Sequence, residues 1–183
     1  MGKQKEITVG TSKTGKFKTF TPELQQALRA YTRTGGSVMV SGSFIATDLW
    51  DNPHSEESVM KDDKDFATNV LGYKWRVGQA EVSGVVKEVS SKFKTFNGGE
   101  FSYFNQLNPE MYAVESPDAL YPADNNGATI MRYCENNLPA ATAFNPGSYR
   151  TVCLGFPFES IKGADSRSKL MKQILSFLQS NNK

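Results

Sequence analysis

GGSVMVSGSFIATDLW, residues 35–50, runs from a glycine pair through a short apolar burst into a serine-bearing turn. Val38, Met39 and Val40 are apolar in succession, so both faces of that segment read as buried. That is the pattern of a central parallel strand. Upstream, Thr21-Pro22 opens a helix with a hydroxyl cap and a proline at the first helical position. Leu24, Leu28 and Tyr31 follow at helical spacing, and Gly35-Gly36 stops the helix. Helix, glycine turn and buried strand together make half of an α/β repeat.

Further along, Asp51 to Asp65 is polar and acidic, and a short helix closing on Phe66, Val70 and Leu71 is stopped by Gly72. Tyr73 to Val77 alternates like a strand, and Glu81 to Val89 offers another. The segment KTFNGGEFSYF (residues 94–104) carries Asn97-Gly98 between aromatic flanks, a hairpin signal. A β-hairpin excursion from the main sheet is therefore expected around Phe93 to Tyr103. Strands are expected at Ala128–Tyr133, Ala140–Phe144 and Thr151–Gly155. The turn Asn145-Pro146-Gly147 makes the last two antiparallel. A terminal amphipathic helix places Leu170, Ile174 and Leu178 on one face, with Asp165 or Ser166 as its cap.

The chain has 183 residues, 38% apolar and 22% charged, which suits one ordinary domain with a real core. Its 21 basic and 19 acidic residues leave a net charge of +2 and are dispersed, which sets nucleic acid aside as a partner. No apolar run approaches the ~20 residues of a membrane span. The start, MGKQKEITVG, lacks the apolar core of a signal peptide and reads as the middle of a larger protein. The 2 cysteines, Cys134 and Cys153, are too few for a disulfide scaffold and too far apart for a zinc motif. An oxidising compartment would permit one bridge between them. Otherwise a lone buried cysteine acts as a small apolar residue.

Three segments carry a resemblance: ALRAYTRTGGSVMVSGSFIATDLW (residues 27–50), FATNVLGYKWR (residues 66–76), and RTVCLGFPFESI with SRSKLMKQILSFL (residues 150–161 and 166–178). Together they resemble the class I glutamine amidotransferase-like domain, in the version found near the C-terminal end of large bacterial proteins named as xanthan lyases. The resemblance covers roughly residues 3–180 and implies a three-layer, flavodoxin-like α/β sheet. It implies one or two further strand–helix units upstream, so the domain is expected to be truncated at its N-terminal side with a sheet edge left open. A periplasmic or extracellular setting, an acidic polysaccharide ligand and contacts with other domains of the same polypeptide also follow from it.

An enzyme of that family needs a cysteine at the tight turn after a central strand, and a histidine oriented by a carboxylate at a later strand end. Here the turn is Ser41-Gly42-Ser43-Phe44-Ile45, without cysteine. A nucleophile elbow wants small residues two positions either side of the nucleophile. Centred on Ser43, Ser41 satisfies this and Ile45 does not. The later strand end has Phe156-Pro157-Phe158, with Glu159 its only polar residue, where the family would carry histidine. The 1 histidine of the chain, His54, lies in the acidic loop. The reading is therefore a non-catalytic accessory domain, structural or ligand-binding. The alternative is a hydrolase or polysaccharide lyase using Ser43, His54 and Asp48 or Glu159.

A lyase site would need a tyrosine or histidine base and a group to neutralise a uronate carboxylate. Tyr73 and Arg76 fall on opposite faces of one strand, and Tyr149-Arg150 sits at a turn. Asp48, Asp51, His54, Glu56 and Glu57 crowd oxygen donors together but match no metal template, and read as a solvated loop. No metal and no cofactor is assigned. Ser41, Gly42 and Ser43 form the strand exit where this fold class places ligands. Sugars stack on flat aromatic faces, which makes Trp50 and Trp75, with Tyr103, Phe104 and Tyr121, a candidate carbohydrate platform.

Overall fold

The computed structural model describes residues 18–51 and 57–180. In chain order the elements are α1 (Pro22–Arg33), β1 (Val38–Ser41), α2 (Thr47–Trp50), α3 (Glu57–Asp65) and a π-helical turn (Phe66–Leu71), then β2 (Tyr73–Val77), β3 (Val85–Glu88) and β4 (Glu100–Ser102). They continue with β5 (Ala119–Pro122), β6 (Gly127–Tyr133), β7 (Pro139–Phe144), β8 (Thr151–Leu154), a 3-10 turn (Phe158–Ser160) and α4 (Ala164–Gln179).

Six strands form one sheet in the order β1-β8-β7-β6-β3-β4, and β2 pairs with β5 in a separate ribbon. Only β1 and β8 are parallel in the large sheet; every other neighbouring pair is antiparallel. The result is a curled mixed sheet with few helices, a half-barrel. This corrects the three-layer flavodoxin-like expectation, which requires parallel strands joined by crossover helices. The error has a physical source. β7 is buried at every position and β8 likewise, because both sheet faces are covered. A strand buried on two faces looks the same whichever way its neighbours run.

Alternation along β8 divides the interior in two. Val152 and Leu154 face a cluster with Val86, Phe101, Met131, Phe156, Leu170 and Ile174. Cys153 faces the other side, with Leu49, Phe66, Leu71, Tyr73 and Leu120. The sheet thus buries both surfaces, and α4 closes the first cluster through Leu170, Ile174 and Phe177. Leu178 is only half-buried, and Gly163 rather than Asp165 or Ser166 occupies the helix cap.

Local signals near α1 hold well. The Thr21 hydroxyl accepts from the Leu24 amide at 3.3 Å, and Pro22 is the first helical residue. The packed face differs from the expected one. Gln25 and Thr32 are buried, whereas Leu24 and Tyr31 point outward at 42% and 53% exposure. The Gln25 amide donates to Phe20 O at 2.9 Å and to Asp63 Oδ1 at 2.7 Å, while Lys18 also pairs with Asp63. This buried polar network fixes the rotation of α1 against its apolar stripe.

The hairpin exists in another form. β3 pairs with β4 and also with β6, so it is the margin of the main sheet, not an excursion from it. Its first arm is Val85–Glu88, and residues 89–99 form the connecting loop. The β7–β8 hairpin over Asn145-Pro146-Gly147 is antiparallel as expected. Among the described residues no helix is long and apolar enough to cross a membrane.

Cys134 and Cys153 are both free. Burial pushes the Cys153 thiol up to about 12. A thiol reagent at neutral pH should modify exposed Cys134 in the native protein and reach Cys153 only after unfolding, which mass spectrometry of labelled peptides would check. At Gly155 an added Cβ would lie 2.0 Å from the Asp118 carbonyl oxygen, a backbone atom that cannot swing away. Gly155→Ala should lower stability by about 3 kcal/mol, read as an earlier denaturant midpoint.

Candidate functional site

The exit from β1 is a tight turn whose one strained residue is Phe44, at φ 62°. A bulky residue rarely adopts the left-handed region. In a nucleophile elbow that strained position belongs to the nucleophile, with small residues two positions before and after it. Here those residues are Gly42 and Ala46, so the turn is centred on Phe44 and not on Ser43. The spacing was visible in the sequence, but a search for a hydroxyl or thiol passes over phenylalanine.

The polar groups around the turn are already engaged. The Asp118 carboxylate accepts from the Ala46 amide at 2.7 Å, the Thr47 amide at 3.0 Å and the Thr47 hydroxyl at 2.6 Å. These amides open α2, where a helix start offers unpaired donors. Asp118 is itself held: its amide donates to Gly155 O at 2.7 Å, and its carbonyl accepts from the Tyr133 hydroxyl at 2.7 Å. Tyr73 donates to Ile45 O at 2.7 Å from the other side. Asp118 is fully buried, and that burial raises its carboxyl above the ordinary range, opposed by the hydrogen bonds from Thr47 and Ala46. Burial also raises the Tyr73 and Tyr133 hydroxyls far above the usual phenol range. No sequence signal marks Asp118, since its partners lie 71 and 72 residues away.

Ser41 ends β1, and the Gly42 amide continues the ladder to Leu154 O at 3.3 Å. Ser41, Gly42 and Ser43 are half-buried, and among the described residues no carboxylate or amine hydrogen-bonds to either serine hydroxyl. His54 lies outside the described residues, as does Glu56. Asp48 is buried and accepts from the Thr19 and Phe20 amides at 3.0 and 3.1 Å, so it pins the segment leading into α1. Glu159, in the 3-10 turn, accepts from the Tyr112 hydroxyl at 2.7 Å. Burial first, and this carboxylate second, raise the Tyr112 phenol above its ordinary value.

The lyase pairings take structural positions as well. Tyr73 is buried and Arg76 exposed on opposite sides of β2. Tyr149 donates to Val70 O at 3.0 Å, and Arg150 donates from one guanidinium nitrogen to Phe177 O at 2.7 Å. Among the described residues no group of three potential metal ligands comes together.

Trp50 and Trp75 are half-buried against the cluster of Phe20, Leu49 and Phe66. Their indole nitrogens are sealed from solvent, and Lys64 lies over the Trp50 ring at 5.5 Å. Tyr103 is buried and stacks on Phe156, with ring centroids 5.2 Å apart. Of the proposed aromatic platform, Tyr121 is the residue left open, at 39% exposure.

Neither a family model nor a curated protein matches the sequence. Solved structures similar in fold include the β-galactosidase of Rahnella sp. R3, at TM-score 0.54 and 12% identity, matching 88% of this chain and 21% of that one. The β-galactosidase of Bacillus circulans sp. alkalophilus is similar at TM-score 0.54 and 13% identity, again over 88% of this chain and 21% of that one. A cytoplasmic protein from Salmonella typhimurium matches at TM-score 0.54 and 14% identity, over 86% of this chain and 61% of that one. The chain thus spans about a fifth of each β-galactosidase. At such identities the likeness is one of fold, and it agrees with the curled mixed sheet over a flavodoxin-like layer or a Rossmann-like one.

The raised carboxyl of Asp118 has a signed consequence. A proton held more tightly in the folded state stabilises that state in acid, and the contribution is lost as pH rises through the folded value. The stability of the wild type relative to Asp118→Asn should therefore fall as pH rises from the ordinary carboxylate range toward neutrality, measured by denaturant unfolding at each pH.

Proposed function

We propose that this chain is a non-catalytic accessory domain of a larger polysaccharide-active protein, acting through its fold and its contacts with other domains of that protein. The observation that carries this reading is Phe44 in the strained position of the strand-exit turn. A phenyl ring has no atom that can attack an acyl or glycosyl centre, and the adjacent helix-start amides are filled by Asp118. A serine hydroxyl without a base is a poor nucleophile, and Asp48 and Glu159 are each committed to other partners. The polysaccharide setting draws support from two sources: the sequence resemblance to proteins named as xanthan lyases, and the fold shared with parts of two β-galactosidases. In both cases the matching domain is a small share of a long chain, as an accessory role requires.

A fluorophosphonate probe tests the reading directly, because it labels serines activated by a neighbouring base whether or not the substrate is known. Wild-type protein should show no more labelling than Ser43→Ala or His54→Ala. Labelling of the wild type that both substitutions abolish would establish the Ser43–His54 hydrolase instead.

A further inference from the structure

The sequence holds an Asn-Gly pair twice, at Asn97-Gly98 and at Asn126-Gly127, and both asparagines are exposed. The structure treats the two pairs differently. Asn126 sits in the turn that leads into β6. Its side-chain amide donates to Asp124 Oδ2 at 3.3 Å, and its carbonyl accepts from the Asn145 amide at 3.1 Å. The Gly127 amide donates to Asp124 O at 3.1 Å, and Gly127 is paired with Phe144 in the sheet. Asn97-Gly98 forms no tight hairpin tip. It stands near the end of the loop between β3 and β4, outside any helix or strand. Among the described residues, neither the Asn97 side chain nor the Gly98 amide has a hydrogen-bond partner. Gly98 has φ 75°, and a Cβ added there would meet nothing within 4 Å, so open space surrounds this part of the backbone.

We infer that Asn97 is a site of spontaneous modification, losing ammonia through a cyclic imide to become aspartate or isoaspartate, while Asn126 is protected. The ring closes when the Gly98 amide nitrogen, its proton given up to solvent base, attacks the side-chain carbonyl carbon of Asn97. A bond forms from that nitrogen to Cγ, the bond from Cγ to Nδ2 breaks, and ammonia leaves with a proton taken from water. Water then adds to either imide carbonyl. One opening gives aspartate, and the other gives isoaspartate, in which the main chain runs through the side-chain carbon. Glycine favours the attack because it has no side chain to obstruct it, and the attacking nitrogen must be free of other bonds. Gly98 meets both conditions, whereas Gly127 would first have to leave its turn and its ladder. The product bears on the fold as well. Isoaspartate adds one carbon to the main chain just before Gly98, and the next amide, Gly99, donates to buried Glu88 Oε2 at 2.6 Å. The same loop packs Phe93 and Phe96 against Phe177 of α4, with ring centroids 4.8 and 5.7 Å apart. Its Thr95 carbonyl also accepts from Gln173 Nε2 at 3.3 Å. Displacing Gly99 from Glu88 therefore loosens the loop that grips α4.

This inference is independent of the accessory role. Incubating the native chain in mildly alkaline buffer tests it. Digestion after glutamate in mildly acidic buffer then separates the two sites, because Glu100, Glu110 and Glu115 lie between them. Tandem mass spectrometry reads each amide-to-acid conversion, and an isoaspartyl methyltransferase counts the isomerised product. Asn97 should convert at least about tenfold faster than Asn126, the scale set by opening a hydrogen bond and a ladder before reaction. In denaturant, where the dipeptide alone decides, the two should convert at similar rates. Equal native rates, no conversion of Asn97 in the folded chain, or a difference that persists in denaturant would overturn the proposal. Aged wild type should also unfold at a lower temperature than equally aged Asn97→Gln, whose longer side chain closes an imide ring far more slowly. Equal midpoints once Asn97 is fully converted would overturn the link to α4.

Discussion

Asp118 brings a carboxylate into the interior where, among the described residues, no cation meets it. Taking such a group out of water costs several kcal/mol unless its oxygens are fully hydrogen-bonded. Three donors from Ala46 and Thr47 meet that demand, and they are the donors that the start of a four-residue helix would otherwise leave unpaired. The same residue's backbone reaches Gly155 at the end of β8 and Tyr133 on β6. One residue thus joins the β1 exit, through its carboxylate, to the middle of the large sheet, through its backbone. Without the carboxylate, the amides of Ala46 and Thr47 and the Thr47 hydroxyl lose their acceptor.

Stabilisation of that kind and catalysis compete for the same atoms. Helix-start amides beside a strand exit are suited to holding a developing negative charge. In this protein they are taken up by the carboxyl group of Asp118. The strained turn has an aromatic residue at its apex, and the nearby carboxylate that looked available, Asp48, fastens the segment before α1. The donors and acceptors around the turn are engaged within the fold.

How much of this could be read from the sequence divides along a physical line. Features set by neighbours in the chain were legible: the Thr21-Pro22 helix start, the glycine stops, the alternation of β2 and the Asn145-Pro146-Gly147 turn. Strand direction was not, because two-sided burial of β7 and β8 follows from coverage by other elements. The face of α1 also escaped, since Gln25 is drawn inward by Asp63, 38 residues on. At the site, the spacing of small residues around Phe44 was present in the sequence and overlooked. Asp118 was beyond reach, as its partners come from a distant turn. Trp50 and Trp75 read as exposed platforms because aromatic residues beside loops give no hint of which ring face is covered.

The parallel pairing of β1 with β8 matches Val38 to Thr151 and Ser41 to Leu154. These strands come from opposite ends of the described chain, and nothing local can bring them together. Closing so large a loop is entropically slow, which places this protein among the late-closing, non-local topologies. During synthesis α1 and β1 must wait for β8 to leave the ribosome before this part of the sheet can be sealed. Once sealed, the same seam acts as a clasp. A backbone cut in the stretch between β4 and β5 would leave two fragments joined by three ladders, β1–β8, β2–β5 and β3–β6.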